Sequence, residues 1–217
     1  MINRFKALFN RANDIRQIEG FIPLIKRIIS YYIFQYRSFY VFEYNLHEVD
    51  ESNSFPRLKN FSVNIVSDNK QADELSTSEF DFRLHYQNAR EALDKGAIAF
   101  CIFVDNELAH IGWAATSEQA KKYVDHLPYK VNFNNKEACI GGHKTLPKYR
   151  GRNLMTYGYA LKFDYLKQNG FKIVRNAVKV SNVASIKVHK KFKYRICAKA
   201  RYIKILRWQS WKEKSIS

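Results

Sequence analysis

One segment of the sequence, residues 138–178, restricts the fold more than any other part of the chain. It begins with a predicted strand, 138–145, which contains the pair Gly141-Gly142. A helix is predicted next, because apolar residues recur at helical spacing until the stop signal Asn169-Gly170. The helical stripe consists of Leu154, Tyr157, Gly158, Leu161 and Tyr165. A second strand at 171–178 completes the unit, so two parallel strands joined by a helical crossover are expected.

The rest of the sequence predicts antiparallel strands and short helices around this unit. They are a strand at 61–66, one or two helices at 70–95, a hairpin of strands 97–104 and 107–115, a short helix at 182–192, and one or two closing strands at 194–208. This order is typical of an α+β fold with a mixed, mostly antiparallel sheet. The glycine pair Gly141-Gly142 predicts a bulge, or a close backbone approach, in its strand.

The N-terminal part of the chain has a different composition. We divide the chain into a basic, aromatic extension, residues 1–59, and a main domain, residues 60–217. Charged residues interrupt the apolar segment Phe21–Tyr44. The segment therefore contains no uncharged run that is long enough to cross a bilayer. We expect this segment to form a helix packed on the domain. The alternative is a helix lying on an anionic membrane surface.

Charge and cysteine usage limit the partners and the compartment. The chain has 37 Lys and Arg residues against 20 Asp and Glu residues, so anionic partners are favoured: nucleic acid, an acidic membrane or a phosphorylated small molecule. The cysteines Cys101, Cys139 and Cys197 are too far apart to suggest a disulfide framework or a zinc site. No signal peptide is predicted at the start, and a cytoplasmic location is expected, with peripheral membrane association as an addition.

The most specific chemical signal lies between the bulged strand and the long helix. Arg150, Gly151 and Arg152 precede the helix start, where backbone N–H groups and the helix dipole favour an anion. The sequence therefore predicts a phosphate or pyrophosphate site. The alternative is an ordinary basic loop that caps a helix.

Two motifs resemble those of one enzyme superfamily. Leu-Pro-Lys-Tyr-Arg-Gly-Arg, residues 146–152, resembles the acyl-CoA pyrophosphate loop of the GNAT superfamily. Residues 182–194, which begin Asn-Val-Ala-Ser-Ile, resemble that family's second CoA-binding motif. The resemblance implies a GNAT-like sheet flanked by helices. It also implies an N-acetyltransferase that moves an acetyl group from acetyl-CoA to a primary amine by direct attack, without a metal.

The resemblance also implies which residues contact acetyl-CoA. Thr145 and Leu146 would face the pantetheine arm, and a backbone N–H near them would polarise the thioester carbonyl. Asn182 and Ser185 would line the other wall of the groove. The pyrophosphate would contact Arg150, Gly151, Arg152, Asn153, Leu154 and Met155. Two of these depart from the family pattern: Asn153 replaces a glycine and Met155 replaces a small residue, so close approach of the pyrophosphate is expected to be partly obstructed.

Three residues are candidates for proton transfer. His189 stands where many family members have a tyrosine that protonates the leaving thiolate, and imidazole titrates near neutral pH. Glu137 or His143 would be the base. The alternatives are a solvent-facing His189 and an exposed charge at Glu137. His110, on the hairpin, is expected to be structural.

A second function class is compatible with the sequence. A non-catalytic protein on the GNAT scaffold could bind CoA or an anionic polymer through the basic, aromatic segment 187–214. We favour an ordinary closing hairpin for this segment, and nucleic acid is not the expected partner. The acceptor, the acyl-chain length and the oligomeric state are not determined by the sequence.

Overall fold

The computed structural model describes residues 22, 34–50, 54–76, 81–86 and 88–216. Within these residues, eight strands form one mixed sheet in the order β2-β3-β4-β5-β6-β1-β7-β8. The strands are β1 Phe34–Asn45, β2 Ser62–Val66, β3 Ala97–Val104, β4 Glu107–Ala115, β5 Glu137–Thr145, β6 Ile173–Lys179, β7 Arg195–Ile205 and β8 Trp208–Ser215. The predicted α+β class with a mixed, mostly antiparallel sheet is confirmed.

Short helices connect most of the strands. They are α1 Asn69–Leu75, α2 Ala89–Asp94, α3 Glu118–Val124, α4 Leu154–Gln168 and α5 Val183–His189, with 3-10 turns at Phe82–His85, Phe133–Asn135 and Pro147–Tyr149. The sequence analysis missed α3. The sequence signal for this helix is its N-cap residue, Ser117. The Ser117 side chain accepts a hydrogen bond from Ala120 N at the start of the helix.

The two predicted strand pairs of the main domain are confirmed. β3 and β4 are antiparallel, and the turn residues Asp105 and Asn106 adopt φ values of 50° and 63°, as a tight hairpin turn requires. β5 and β6 are parallel, with α4 as the crossover between them.

The predicted bulge in β5 is also confirmed. β5 holds one residue more than β4 between two successive pairs of the ladder, so Gly142 and His143 together oppose Gly112. Gly142 has a φ of 59°, in the left-handed region. A Cβ atom there would lie 2.8 Å from Trp113 and 2.7 Å from Tyr86. Glycine is required at this position on both grounds.

Gly142→Ala is expected to lower the free energy of unfolding by about 3 kcal/mol, because left-handed backbone strain and a core clash each contribute one or two kcal/mol. Gly170→Ala is the matched control: its φ is 78°, but a Cβ atom would meet nothing within 4 Å. That variant should lose only about 1 kcal/mol. Urea denaturation of both variants measures the difference. Equal losses would contradict the close packing at Gly142.

The N-terminal prediction needs a correction. Residues 34–45 form the strand β1 and not a helix. Aromatic and β-branched residues favour strands, and β1 buries Phe39, Val41, Phe42 and Tyr44. The remainder of the segment Phe21–Tyr44, apart from Ile22, lies outside the described residues. No helix in the described part of the chain has both the length and the apolar run that crossing a lipid bilayer requires.

The chain divides into two compact units. The smaller comprises Met1–Phe39 and Ala200–Lys214, and the larger comprises Tyr40–Lys199 and Ser215–Ser217. In the larger unit, β3 is buried along its whole length, because apolar layers cover both faces of the sheet. One layer contains Trp113 and Phe82, and the other contains Phe163 on α4. The domain boundary that we place near residue 60 stays a prediction.

Candidate functional site

β5 and β6 separate soon after they begin. Their parallel pairing covers Glu137–Cys139 and Ile173–Arg175, and there it ends. β5 nevertheless continues to Thr145 and β6 to Lys179. The space between the two unpaired halves is called the wedge below. The bulge at Gly142 lies in the β5 half of the wedge.

A short loop joins the open end of β5 to α4. This segment, residues 150–153, is called the phosphate loop below. Gly151 and Asn153 adopt left-handed φ values of 78° and 65°. The first hydrogen bond of α4 runs from Tyr157 N to Asn153 O. The backbone N–H groups that precede Tyr157 therefore have no acceptor within the helix. The loop therefore presents the positive end of α4 as an anion site.

Three cations lie at this helix start. Arg150 and Arg152 are exposed, and neither forms an ion pair with any described residue. Lys191 Nζ donates to Asn153 Oδ1 (2.6 Å) and to Thr156 Oγ1 (3.2 Å). A cation is unfavourable at a helix N-terminus unless an anion joins it. The sequence analysis missed Lys191, although it lies within the second motif.

The two departures from the family pattern have local explanations. Asn153 Nδ2 donates to Ser54 O (3.2 Å) and Phe55 O (2.8 Å), so the side chain binds a neighbouring segment. Met155 packs against the apolar layer beneath α4. A Cβ atom on Gly151 would meet nothing within 4 Å, so space is open beside the two arginines. The loop has the charge and the room that a pyrophosphate needs.

Tyr159 of α4 lies at the base of the wedge. Its hydroxyl accepts a hydrogen bond from Asn176 Nδ2 of β6 (3.1 Å) and lies 3.2 Å from His189 Nε2 of α5. Burial raises the pKa of Tyr159 above its ordinary value, so the phenol stays protonated. Side chains of β6 and α5 thus meet at the hydroxyl of Tyr159.

His143 stacks on Tyr159, with ring centroids 4.4 Å apart. Both of its ring nitrogens are buried and have no hydrogen-bond partner among the described residues. Burial, together with the charge of Lys162, lowers the pKa of His143 well below its ordinary value. A methyl group at Gly112 would meet Lys162 Nζ at 2.7 Å and His143 Nδ1 at 2.8 Å. The amine and the imidazole therefore border the same small space.

Lys162 is fully buried beneath the sheet. Its Nζ donates to Gly158 O, lies 5.4 Å from the ring centroids of Phe100 and Tyr159, and forms no ion pair with a described carboxylate. Burial lowers the pKa of Lys162 from 10.5 to about 7. The sequence analysis missed Tyr159 and Lys162. Their helix was predicted correctly, but its buried side was not.

The predicted proton donor His189 is buried. Its ring stacks on Phe42 at 4.0 Å, and its Nδ1 bonds to the hydroxyl of Tyr44. Burial lowers the pKa of His189 to about 3, so the imidazole is neutral at pH 7. The alternative of a solvent-facing residue is wrong. His189 reaches the site through its bond to Tyr159.

Glu137 is not part of the wedge. It is buried at the paired end of β5, where Oε2 accepts from Asn132 N (2.8 Å) and Oε1 accepts from Arg175 (3.3 Å). His143 lies six positions further along β5, at a distance of about 20 Å. The alternative of an exposed charge is wrong as well, because the carboxylate is enclosed and paired.

The remaining predicted residues lie along the two walls. Thr145 Oγ1 bonds to His110 Nδ1 (2.8 Å), and Leu146 N donates to Ala109 O (3.0 Å), so both groups are engaged with β4. On the opposite wall, Asn182 Oδ1 accepts a hydrogen bond from Ser185 N (3.2 Å) and caps the start of α5. Leu154 is buried at the start of α4.

Comparisons with known proteins identify the family and the fold of the chain. Residues 63–194 match the acetyltransferase (GNAT) family. No curated protein matches the sequence. The fold is shared with a Drosophila protein (TM-score 0.51, 15% identity, 86% of this chain and 57% of that chain). It is also shared with the glucosamine N-acetyltransferase region of a fungal multi-domain β-N-acetylglucosaminidase (TM-score 0.53, 12% identity, 77% of this chain and 21% of that chain). The chain described here belongs to the acetyltransferase (GNAT) family.

Proposed function

We propose that this chain is an N-acyltransferase that moves an acetyl group from acetyl-CoA to a primary amine. The observation that supports this most directly is the wedge, because it opens beside an anion-binding loop and encloses Tyr159 and His143. Acetyl-CoA supplies the activated thioester when it is bound. Cys101 and Cys139 are buried and form no disulfide with a described residue, which supports a reducing, cytoplasmic location as part of the proposal.

The phosphate loop would hold the pyrophosphate. Arg150 and Arg152 are exposed and form no ion pair within the described part of the chain, and Lys191 lies at the same helix start. Charge-assisted bonds from these side chains, together with the N–H groups of the loop, are the contacts that phosphate oxygens prefer. The pantetheine arm would follow the unpaired half of β5 towards Tyr159.

Direct transfer requires two proton movements. The amine nitrogen forms a bond to the thioester carbonyl carbon, the carbon–sulfur bond breaks, the amine loses a proton and the departing sulfur gains one. Tyr159 is the proposed donor to sulfur, because its phenol is protonated at neutral pH. His189 was the donor predicted from the sequence. Its neutral ring is better suited to orient the Tyr159 hydroxyl.

His143 is the proposed first acceptor of the amine proton. The low pKa of His143 makes it a weak base, so a stronger base must take the proton from it. Lys162 borders the same space, and its pKa of about 7 leaves a neutral amine in mildly alkaline solution. We assign Lys162 the role of a relay that takes the proton from His143. Glu137 has no role in this scheme.

Calorimetric titration tests the acetyl-CoA site. Loss of both guanidinium groups in Arg150→Ala/Arg152→Ala is expected to weaken acetyl-CoA binding by about 10-fold to 100-fold, since each charged hydrogen bond contributes roughly 1.5–3 kcal/mol. Desulfo-CoA, titrated in parallel, separates binding from turnover. Arg201→Ala/Arg207→Ala removes the same charge from the β7–β8 hairpin and is expected to bind acetyl-CoA normally.

Two results would contradict the proposal. Equal affinity of the wild type and Arg150→Ala/Arg152→Ala would exclude the phosphate loop as the pyrophosphate site. Tight binding without acetyl transfer to any amine of a broad panel would favour the alternative, a non-catalytic CoA-binding protein on the GNAT scaffold. The same panel of amines identifies the acceptor.

A further inference from the structure

The turn between β7 and β8 exposes apolar side chains. Ile205, Leu206 and Trp208 are 45%, 61% and 57% exposed. Together with Arg207 they are called the hairpin tip below. Leu206 adopts a φ of 54°, which is rare for a leucine and belongs to a tight turn. Scattered exposed apolar residues are common on soluble proteins, but three within four consecutive residues form a patch.

The smaller compact unit supplies further exposed apolar residues. Its part of β1 exposes Phe34 (45%) and Tyr36 (58%), and β1 is the neighbour of β7 in the sheet. Trp211 packs beside the unit's buried aromatic residues, at 5.6 Å from Phe39 and 6.4 Å from Tyr202. The hairpin is therefore anchored by an aromatic cluster, while its tip remains in solvent.

The charge of the same unit is strongly positive. The segments 34–39 and 200–214 contain six basic residues and one acidic residue. The acidic residue, Glu213, accepts a hydrogen bond from Trp211 Nε1 (2.6 Å), and none of the basic residues forms an ion pair with a described residue. The basic residues are Arg37, Arg201, Lys204, Arg207, Lys212 and Lys214.

We propose that the hairpin tip docks on the surface of an anionic lipid bilayer. Isoleucine and leucine gain by leaving water for the acyl boundary, tryptophan favours the headgroup region, and each nearby Lys or Arg is attracted by anionic lipid. The bases of a nucleic acid stack on aromatic rings, whereas two of the three exposed apolar residues of this tip, Ile205 and Leu206, are aliphatic. The charge and the apolar tip together match a lipid surface.

This proposal differs from the membrane contact that the sequence offered as an alternative. That alternative was a helix at Phe21–Tyr44 lying on the membrane surface, but the described part of the segment from Phe34 onward is the strand β1. The docking surface proposed here is instead the β7–β8 hairpin. It does not depend on the acyltransferase proposal, because it uses none of the residues of the wedge or the phosphate loop.

Vesicle sedimentation with the full chain tests the proposal. Vesicles of phosphatidylcholine alone are compared with vesicles that also contain phosphatidylserine. We expect binding to the anionic vesicles, and a loss of at least about tenfold in Leu206→Ser/Trp208→Ser, whose two side chains account for much of the buried apolar area. Leu84→Ser is the control, at a leucine outside the unit that is more exposed than Leu206 (84% against 61%), and it should bind like the wild type.

A second variant separates charge from apolar insertion. Arg201→Ala/Arg207→Ala should weaken binding to the anionic vesicles, and Arg150→Ala/Arg152→Ala, with the same loss of charge, should not. Circular dichroism confirms that each variant is folded. The proposal is wrong if the full chain does not bind anionic vesicles, if Leu206→Ser/Trp208→Ser binds as well as Leu84→Ser, or if a mixed-sequence oligonucleotide displaces the vesicles.

Discussion

Lys162→Met is expected to raise the free energy of unfolding by on the order of 4 kcal/mol at pH 7. Lys162 is fully buried, its ammonium has no described carboxylate partner, and burial lowers its pKa from 10.5 to about 7. Folding therefore has to displace a proton or enclose a charge. Methionine has a similar length and no charge, so the variant avoids this penalty.

The pH dependence of this stability gain identifies the buried amine of Lys162 as its cause. The unfolded chain keeps the Lys162 proton up to a pH near 10.5, whereas the folded protein releases it near pH 7. Between these values the unfolded state binds more protons, so the stability of the wild type rises with pH. The advantage of Lys162→Met should fall to about 1 kcal/mol at pH 10 by the same linkage. Urea denaturation of the wild type and of Lys162→Met at pH 7 and at pH 10 measures this advantage.

Lys121→Met is the matched control. Lys121 is also buried, but its Nζ donates to Leu127 O (2.6 Å) and Asp125 O (3.5 Å). That replacement leaves buried carbonyl groups without their donor, so it is expected to destabilise the protein. A Lys162→Met variant that is less stable than the wild type, or equally stabilised at both pH values, would contradict the burial argument.

The proposed relay explains why such a residue is tolerated. A buried amine that has no carboxylate partner among the described residues is unfavourable for stability, but it is a suitable base beside His143. The rate of acetyl transfer by the wild type should therefore rise as the pH passes about 7, where Lys162 loses its proton. Lys162→Met should be folded and more stable, yet slow, and should lack this rise. Such a trade-off is typical of functional sites.

Local sequence signals predicted most of the fold. The hairpin of β3 and β4, the parallel crossover through α4 and the bulge at Gly142 all follow from patterns within about forty residues. β1 was the main error. Its aromatic and basic residues fit an amphipathic helix equally well, and only its place between β6 and β7 decides for a strand.

The phosphate loop could be predicted, but the interior of the wedge could not. Charge and spacing around Arg150 and Arg152 indicate an anion site without any knowledge of distant contacts. Tyr159 and Lys162 belong to a helix that is buried on more than one side, so the apolar stripe did not reveal which polar residues point inward. Their partner His143 comes from a strand that the helix reaches only in the folded protein.

Tyr159→Phe is expected to reduce kcat for acetyl transfer by about 100-fold or more, because a positioned proton donor contributes that much to such steps. The substitution keeps the ring that stacks on His143 and removes only the hydroxyl, which bonds to Asn176 and lies 3.2 Å from His189 Nε2. The affinity for acetyl-CoA should stay close to that of the wild type, since the phosphate loop is unchanged. Steady-state kinetics and calorimetry measure the two quantities.

Tyr165→Phe, which removes a hydroxyl from the same helix outside the wedge, is the matched control and should retain wild-type kcat. Removing the Tyr159 hydroxyl also takes away the nearer partner of Asn176 Nδ2 (3.1 Å) and leaves His189 Nε2 at 3.4 Å, so a loss of stability of about 1–3 kcal/mol is expected, and folding has to be verified by circular dichroism. A folded Tyr159→Phe protein with unchanged kcat would exclude Tyr159 as the donor. If acetyl-CoA affinity fell in parallel with kcat, the hydroxyl would contribute to binding and not to proton transfer.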